Sequence, residues 1–342
     1  MIISSQGFGH FVKGINNQDF GIESSRAILI LDGCSGAPYA EVGTKMFAQI
    51  LKTKEGWDNV EKFEDKVKET FDEIVQMFKP YYKEEKDMKK FRLGLSLCGR
   101  PFAEEEFEQY SKAGIKSMEI SLGDETLENF DWTALQQRAR KFDIELWTFH
   151  LPFLPFAELD PASENEEKRE HTVKYLSEII KKAGCAGIKN FVIHPSAEPI
   201  EEDKREEALK CSADTLTKLA DVAEPFDGFI IVENLPRTCL GRDSYDMLKL
   251  LSCDDRLRTC FDTNHLFYED ISEYIHKVGS KLVTTHVSDF DYKNERHWLP
   301  GEGKVDWIKL IDALRSVGYE GPWLYELDYK APETIKRRQL TA

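Results

Sequence analysis

From about residue 91 onward, short β-rich runs alternate with longer stretches of helical periodicity, and this leaves few folds open to the chain. Successive runs end 24 to 44 residues apart, which is enough for a strand, a helix and two loops. Runs such as Phe229–Val232 are continuously apolar, as is typical of parallel strands covered on both faces. The eight runs end near Leu97, Ser121, His150, His194, Glu233, Asp262, His286 and Glu326. Eight strand–helix units in 254 residues predict an α/β fold, a (β/α)8 TIM barrel, rather than an open doubly wound sheet.

Two of the helical stretches indicate where their buried faces and their ends lie. The first, over residues 168–183, is predicted to end at Gly184, and the second is predicted to end before Gly318. The predicted buried faces are Val173, Leu176, Ile179 and Ile180 in the first and Ile308, Ile311, Leu314 and Val317 in the second.

A charged stretch over residues 83–90 contains nothing to bury and separates two styles of sequence. We place a domain boundary near Asp87, because the strand–helix alternation begins directly after it. The prediction is a small, incomplete α+β segment over residues 1–87 followed by the barrel over residues 88–342.

Charge and cysteine content limit the classes of function. The 46 basic and 62 acidic side chains leave a net charge of −16, which repels nucleic acid and anionic lipid. The chain contains no run near the roughly 20 apolar residues of a membrane span, and its start is not typical of a signal peptide. Seven cysteines without a CxxC pair fit reduced thiols in a cytoplasmic protein. We therefore expect a small-molecule partner, not nucleic acid or membrane, and leave homo-oligomerisation open.

Acidic residues and histidines collect at the predicted strand ends, where TIM barrels carry their chemistry. Glu119 also lies late in its strand. Buried carboxylates raise one another's pKa, and a divalent metal removes that penalty. Residues from strands 5 to 8 can converge on one point and form a mostly oxygen site for one Mn²⁺, Mg²⁺, Co²⁺ or Zn²⁺. The predicted metal ligands are Glu233, Asp262, His286 and Glu326.

The ordered series of motifs over residues 89–335 resembles the xylose-isomerase-like TIM barrel superfamily, which includes sugar phosphate isomerases and epimerases and endonuclease IV. Its segments include FHLPF at residues 149–153, VIHPS at 192–196, VENLP at 232–236, CFDTNH at 260–265 and HVSD at 286–289.

For a sugar or sugar phosphate isomerase or epimerase, the resemblance implies that Glu233 and Glu326 transfer protons on opposite faces of a metal-stabilised enediolate. Two carboxylates on opposite faces give epimerisation, and proton return to the neighbouring carbon gives aldose–ketose isomerisation. The residues expected to bind the sugar are His150, His194, His265, Arg296 and His297.

The resemblance to endonuclease IV implies a different chemistry, a three-zinc phosphoesterase that cleaves DNA at abasic sites. Its further metal ligands would be His150, His194, His265, Glu295 and His297, with Glu295 at a position where that family has aspartate. Residues 89–342 carry 35 basic and 47 acidic side chains, and this acidic balance favours the sugar enzyme over a DNA-binding one. A sugar-binding module without catalysis is a third hypothesis.

The N-terminal segment contains Asn17-Gln18-Asp19 and, after an apolar run, Asp32-Gly33. Asp-Gly is a common turn, which makes a plain hairpin the simplest interpretation. Together the two motifs resemble the start of 2C-type metal-dependent protein phosphatases, which implies a metal role for Asp19 and Asp32. The resemblance covers about 80 residues and lacks the later metal aspartates of that family. We therefore expect a truncated remnant without phosphatase activity.

Overall fold

The computed structural model describes residues 20–23, 28–31, 65–66, 69–70, 91–98, 100, 102–123, 127 and 129–328. The chain divides into two compact units, Met1–Lys89 and Lys90–Ala342. In the first unit, β1 (Phe20–Glu23) pairs antiparallel with β2 (Ile28–Leu31). Asp19 and Asp32, the predicted metal residues of this unit, lie outside the described residues. The resemblance to a phosphatase therefore stays a prediction.

The second unit contains eight parallel strands in one sheet, and the first seven of them pair in chain order. The strands are β3 (Leu93–Ser96), β4 (Ser117–Ser121), β5 (Glu145–His150), β6 (Asn190–Ile193), β7 (Phe229–Glu233), β8 (Arg258–Asp262), β9 (Leu282–His286) and β10 (Trp323–Tyr325). β10 also pairs with β3, and a parallel bridge between Val287 and Tyr325 joins the ends of β9 and β10. The predicted TIM barrel is confirmed, and each predicted strand end lies within one residue of the observed one.

Helices alternate with these strands. In the described part of the barrel they are α1 (Glu104–Lys112), α2 (Trp132–Lys141), α3 (Glu166–Cys185), α4 (Arg205–Ala223), α5 (Ser244–Leu251), α6 (Ile271–Val278) and α7 (Trp307–Ser316). Short 3-10 turns lie at Glu202–Lys204, Glu224–Phe226 and Gly279–Lys281. Five of the helices begin with an aspartate or asparagine side chain that accepts a hydrogen bond from a first-turn backbone N–H. None of the helices among the described residues is long and apolar enough to cross a membrane.

The predicted end of α3 is wrong. Gly184 lies inside the helix, which continues to Cys185, and Gly187 after it has the left-handed φ of 85° that ends helices. Gly184 has a packing role instead, because a Cβ there would lie 2.6 Å from the ring of Phe226. Val173, Leu176, Ile179 and Ile180 do face the core, as predicted.

The predicted buried face of α7 is partly wrong. The residues that α7 buries are Leu310, Ala313 and Leu314, whereas Ile308 is 50% exposed. Leu314 was predicted correctly, and Ile311 and Val317 are partly buried against the core, but Leu310 and Ala313 take the place of Ile308 on the buried face. Gly318 follows the helix with a φ of 70°, as the predicted stop requires.

The barrel interior changes from apolar to polar along the strands. Val192, Ile231 and Cys260 form a buried cluster inside the sheet. Side chains two residues apart on a strand point the same way, so Glu233 and Asp262 face the same interior nearer the carboxyl ends of their strands. The fold thereby places a set of polar side chains above an apolar floor.

Candidate metal centre and substrate cavity

The predicted metal ligands come together at the carboxyl ends of the last four strands. Glu233, Asp262 and His286 are the final residues of β7, β8 and β9, and Glu326 directly follows β10. One ligand atom from each of the four lies within 4.8 Å of the others. The first three side chains are at most 1% exposed, and that of Glu326 is 17% exposed.

The contacts within this group centre on Glu233 and His286. Glu233 Oε1 lies 2.8 Å from His286 Nδ1, which lies 3.4 Å from Glu326 Oε2. Burial alone would raise the pKa of Glu233, but the surrounding histidines outweigh it and hold that pKa well below its usual range. Glu233 is thus the ionised centre of the cluster.

Asp262 supplies the test of whether a cation fits. Its Oδ2 atom is buried and accepts no hydrogen bond, and burial raises the pKa of its carboxyl to about 7. An unsatisfied buried carboxylate oxygen is costly in a protein interior unless a cation compensates it. Three carboxylates and one imidazole form a donor set typical of a divalent metal site, so these residues fit such an ion.

Glu119 orients the histidine of this group from beneath. His286 Nε2 lies 2.9 Å from Glu119 Oε2, the oxygen that also accepts a hydrogen bond from Thr148 Oγ1 at 2.9 Å. Because a carboxylate only accepts, Nε2 carries a proton and Nδ1 is directed at Glu233 and Glu326. Glu119 lies late in its strand but is not among the predicted site residues; an acidic residue inside the buried β4 was the available signal.

His150 and His194 approach Glu233 from the other side. Their Nε2 atoms lie 3.1 and 3.4 Å from Glu233 Oε2. Burial lowers the pKa of His194; for His150 burial also opposes protonation, but Glu233 outweighs it and raises the pKa to about 9. Ligand atoms of His150, His194 and Glu233 lie within 4.8 Å of one another, so these residues form a second group that could hold a metal.

A third group lies on the opposite side of the centre. His265 Nδ1 lies 2.9 Å from the Asn234 carbonyl oxygen and 3.4 Å from Asp262 Oδ2, and its Nε2 lies 3.0 Å from Glu295 Oε1. His297 Nδ1 lies 3.7 Å from Glu326 Oε2. The ligand atoms of Asp262, His265 and His297 also lie within 4.8 Å of one another.

Arg237 and Glu198 belong to the site and were missed in the sequence. The Nε and one terminal nitrogen of Arg237 donate to Glu198 Oε1 and Oε2, each at 2.8 Å, and the other terminal nitrogen donates to Glu295. Arg237 has a left-handed φ of 54°. The available signal was an arginine four residues beyond Glu233.

Arg296, predicted to bind substrate, lies apart from the cavity. Its guanidinium donates to Asp291 Oδ2 at 3.0 and 3.2 Å and lies 5.4 Å from the centre of the Trp298 ring. The loop around it matters through the backbone, because Asn264 Oδ1 accepts hydrogen bonds from the N–H groups of Arg296 and His297.

A cavity of about 290 Å³ opens above the four-residue group. One wall is apolar and includes Phe153, Phe156 and Leu235; the ring of Phe153 stacks on His194 at 4.1 Å. Arg237 is the one lysine or arginine among the described lining residues. The predicted site residues that line this cavity are His150, His194, Glu233, His265, Glu295, His297 and Glu326.

Known proteins match the barrel part of the chain. A family described as xylose isomerase-like TIM barrel matches residues 107–341. An uncharacterised protein of Methanocaldococcus jannaschii is 28% identical over 49% of this chain and 60% of its own length. Fructoselysine 3-epimerase of Escherichia coli O157:H7 is 30% identical over 34% of this chain and 44% of its own length. The chain thus spans less than two thirds of these two relatives.

Longer matches exist at lower identity. Inosose isomerase of Bacillus velezensis is 27% identical over 69% of this chain and 89% of its own length. A solved structure of a D-tagatose 3-epimerase-like protein aligns with a TM-score of 0.61 and 24% identity, over 68% of this chain and 89% of that one. D-psicose 3-epimerase of Clostridium cellulolyticum H10 aligns with a TM-score of 0.60 and 19% identity, over 71% and 87% of the two chains. At these identities the solved structures support the fold.

Proposed function

Because the chain belongs to the xylose isomerase-like TIM barrel family, we propose that its barrel is a divalent-metal-dependent sugar isomerase or epimerase. The observation that carries the proposal is the group Glu233, Asp262, His286 and Glu326, with two of its carboxylates on the wall of a cavity. The printed names of the relatives, fructoselysine 3-epimerase and inosose isomerase, support the same class of reaction.

Glu233, Asp262, His286 and Glu326 would hold the cation. When bound, the cation would supply positive charge that polarises the carbonyl of the sugar. Glu119 accepts a hydrogen bond from Nε2 of His286, which leaves Nδ1 as the ring nitrogen that would face the cation.

Glu233 and Glu326 would move the proton. A carboxylate oxygen of one residue removes the proton from the carbon next to the carbonyl, and the other residue supplies a proton to the opposite face of that carbon. Return of the proton to the neighbouring carbon instead would interconvert an aldose and a ketose. His150, His194, His265 and His297 line the same cavity and would bind hydroxyl groups, while Phe153 covers the apolar face of the sugar.

The charges of the cavity favour a sugar without phosphate. Four carboxylates, those of Glu198, Glu233, Glu295 and Glu326, line it, and its one guanidinium, that of Arg237, already contacts two of them. A phosphate dianion would meet no unpaired lysine or arginine among the described lining residues. The volume of about 290 Å³ suits a monosaccharide-sized molecule.

The proposal is tested by incubating the metal-loaded protein with a panel of ketoses, aldoses and their phosphates in D₂O. We expect deuterium to enter at the carbon next to the carbonyl of an unphosphorylated sugar, as seen by NMR. Glu326→Gln should slow this exchange at least about 100-fold, because an amide cannot transfer the proton. Glu206→Gln, on the outer helix α4 beside Lys249, is the matched control and should leave the rate unchanged. Absence of exchange across the panel would refute the proposal.

A multinuclear phosphoesterase is the second candidate. It is favoured by two of the further groups that could hold a metal, His150–His194–Glu233 and Asp262–His265–His297. Cleavage of duplex DNA at an abasic site by the zinc-loaded protein, lost in His194→Gln, would support this function over the sugar enzyme. The charge of −12 on residues 89–342 is the main argument against it.

A further inference from the structure

His265, Glu295 and His297 form one corner of the cavity, here called the Glu295 corner. A positively charged side chain of the protein itself, that of Arg237, contacts this corner. We propose that Arg237 occupies this corner as an internal cation and thereby prevents a metal ion from binding there. The inference rests on the metal centre of the proposed function and concerns which part of the polar cluster a metal can use.

The hydrogen bonds of Arg237 make it a bridge between two carboxylates. Its guanidinium donates twice to Glu198, at 2.8 Å each, and once to Glu295. Glu295 in turn contacts His265 Nε2 at 3.0 Å. The carboxylate that would complete a metal site with His265 is therefore already hydrogen-bonded to a permanent cation.

The loop that carries Arg237 is held in place by a second arginine. Arg205, at the start of α4 and 5% exposed, donates to the carbonyl oxygens of Thr238 and Cys239 at 2.8 and 3.1 Å. It also donates to the buried Asp246 at 2.5 Å. The backbone directly after Arg237 is thus anchored, and the guanidinium is presented to the Glu295 corner by a fixed loop.

Electrostatics explains why a metal and Arg237 exclude each other. A guanidinium stays charged at every physiological pH, so it cannot make room for a metal by losing a proton. A divalent ion on Glu295 and His265 would lie beside this charge in a partly buried site, where repulsion between like charges is stronger than in water. It would also compete with a bidentate arginine–carboxylate pair, a strong geometry for such contacts.

The ion pairs of the Glu233–Asp262–His286–Glu326 group in the described part of the chain involve histidines. A histidine ring is itself a metal ligand, whereas the guanidinium of Arg237 is a permanent cation. Arg237 therefore separates a position open to metal from one that is closed. We therefore do not expect every histidine cluster of this cavity to bind a metal.

The experiment is a metal count. Wild type, Arg237→Met and Arg237→Gln are dialysed to equilibrium against Zn²⁺ and, separately, Mn²⁺, and the bound metal per chain is measured by elemental analysis. We expect the Glu295 corner of the wild type to remain without metal. Both Arg237 variants should bind about one metal ion per chain more than the wild type. The double variant Arg237→Met with His265→Gln should lose that gain, which places the added metal at the corner.

Arg296→Met is the matched control, because it removes a nearby arginine that pairs with Asp291 outside the cavity; its metal count should equal that of wild type. Circular dichroism of each variant verifies that it is folded. An unchanged count in both Arg237 variants would overturn the inference, as would a gain that persists without His265. Three equivalents in wild type, with His265→Gln losing one, would overturn it too. Because no turnover is measured, failure of the sugar reaction in D₂O remains a separate result.

Discussion

At the amino-terminal end of the barrel, ionisable side chains form ion pairs that are exposed to solvent. At the carboxyl-terminal end, their contacts are buried. The ion pairs Lys116–Asp143 and Lys189–Asp227 lie one or two residues before the starts of β4, β5, β6 and β7. Each of their side chains is 48% to 90% exposed. Glu233, Asp262 and His286 at the other end are at most 1% exposed. The two ends share the same strands, so the difference arises from the residues placed at each end.

The two ends differ in how much their charges depend on compensation by the protein. Exposed pairs gain little because water solvates both partners in the unfolded chain as well. Buried carboxylates lose that solvation and persist only with compensation, and Oδ2 of Asp262 accepts no hydrogen bond that would supply it. Pocket size alone does not make the distinction: a groove of about 380 Å³ lies near the amino ends of β5 and β6, and its described lining contains a single carboxylate, that of Glu145, and no histidine.

The largest effect is expected from Asp262→Asn. The amide keeps the acceptor for the Asn264 N–H at 2.6 Å but removes the buried charge that a cation needs. We expect metal content to fall to about a tenth or less of wild type and sugar exchange to be lost with it. In chelator, the urea midpoint of the variant should equal or exceed that of wild type. If the variant retained metal, or lost stability clearly in chelator, the claim that the buried charges at the carboxyl-terminal end need a cation would be contradicted.

A smaller effect is expected from Glu119→Gln. An amide can hydrogen-bond His286 in either tautomer, so the ring no longer has one nitrogen committed to the metal side. Metal affinity measured by titration calorimetry should fall about 10- to 100-fold, as for other groups that orient a metal-binding histidine. Thr148→Val, which removes the other donor to the same oxygen, should have a weaker effect. Equal affinity in Glu119→Gln and wild type would show that this carboxylate does not position His286.

The smallest effect is expected at the opposite end, from Lys116→Ala. Its partner Asp143 is 90% exposed, and water replaces the ion pair when the lysine is removed. Neither the urea midpoint nor the metal content should change measurably. A substantial shift in either would mean that the exposed pairs contribute more than their solvation suggests.

Much of the fold was predictable because its signals are local. Continuous apolar runs and helical periodicity located the strand ends, and the acidic or histidine residue at six of the eight ends followed directly from them. Errors arose where a contact with a distant residue decided the outcome. Glycine often ends helices, which predicts a helix stop at Gly184, but the ring of Phe226 is what requires a glycine there.

The sequence by itself determined the order of the strands and the series Glu233, Asp262, His286 and Glu326, because strand periodicity assigns each side chain to one face without knowledge of its neighbours. Only the tertiary structure decided what surrounds them. Glu119 contacts His286 across 167 residues of chain, and Arg237 reaches Glu198 and Glu295 across 39 and 58. Such pairings depend on how loops close over the barrel, and no local period encodes them. They are also what divides the polar cluster into a position suited to a metal and one that already holds an arginine.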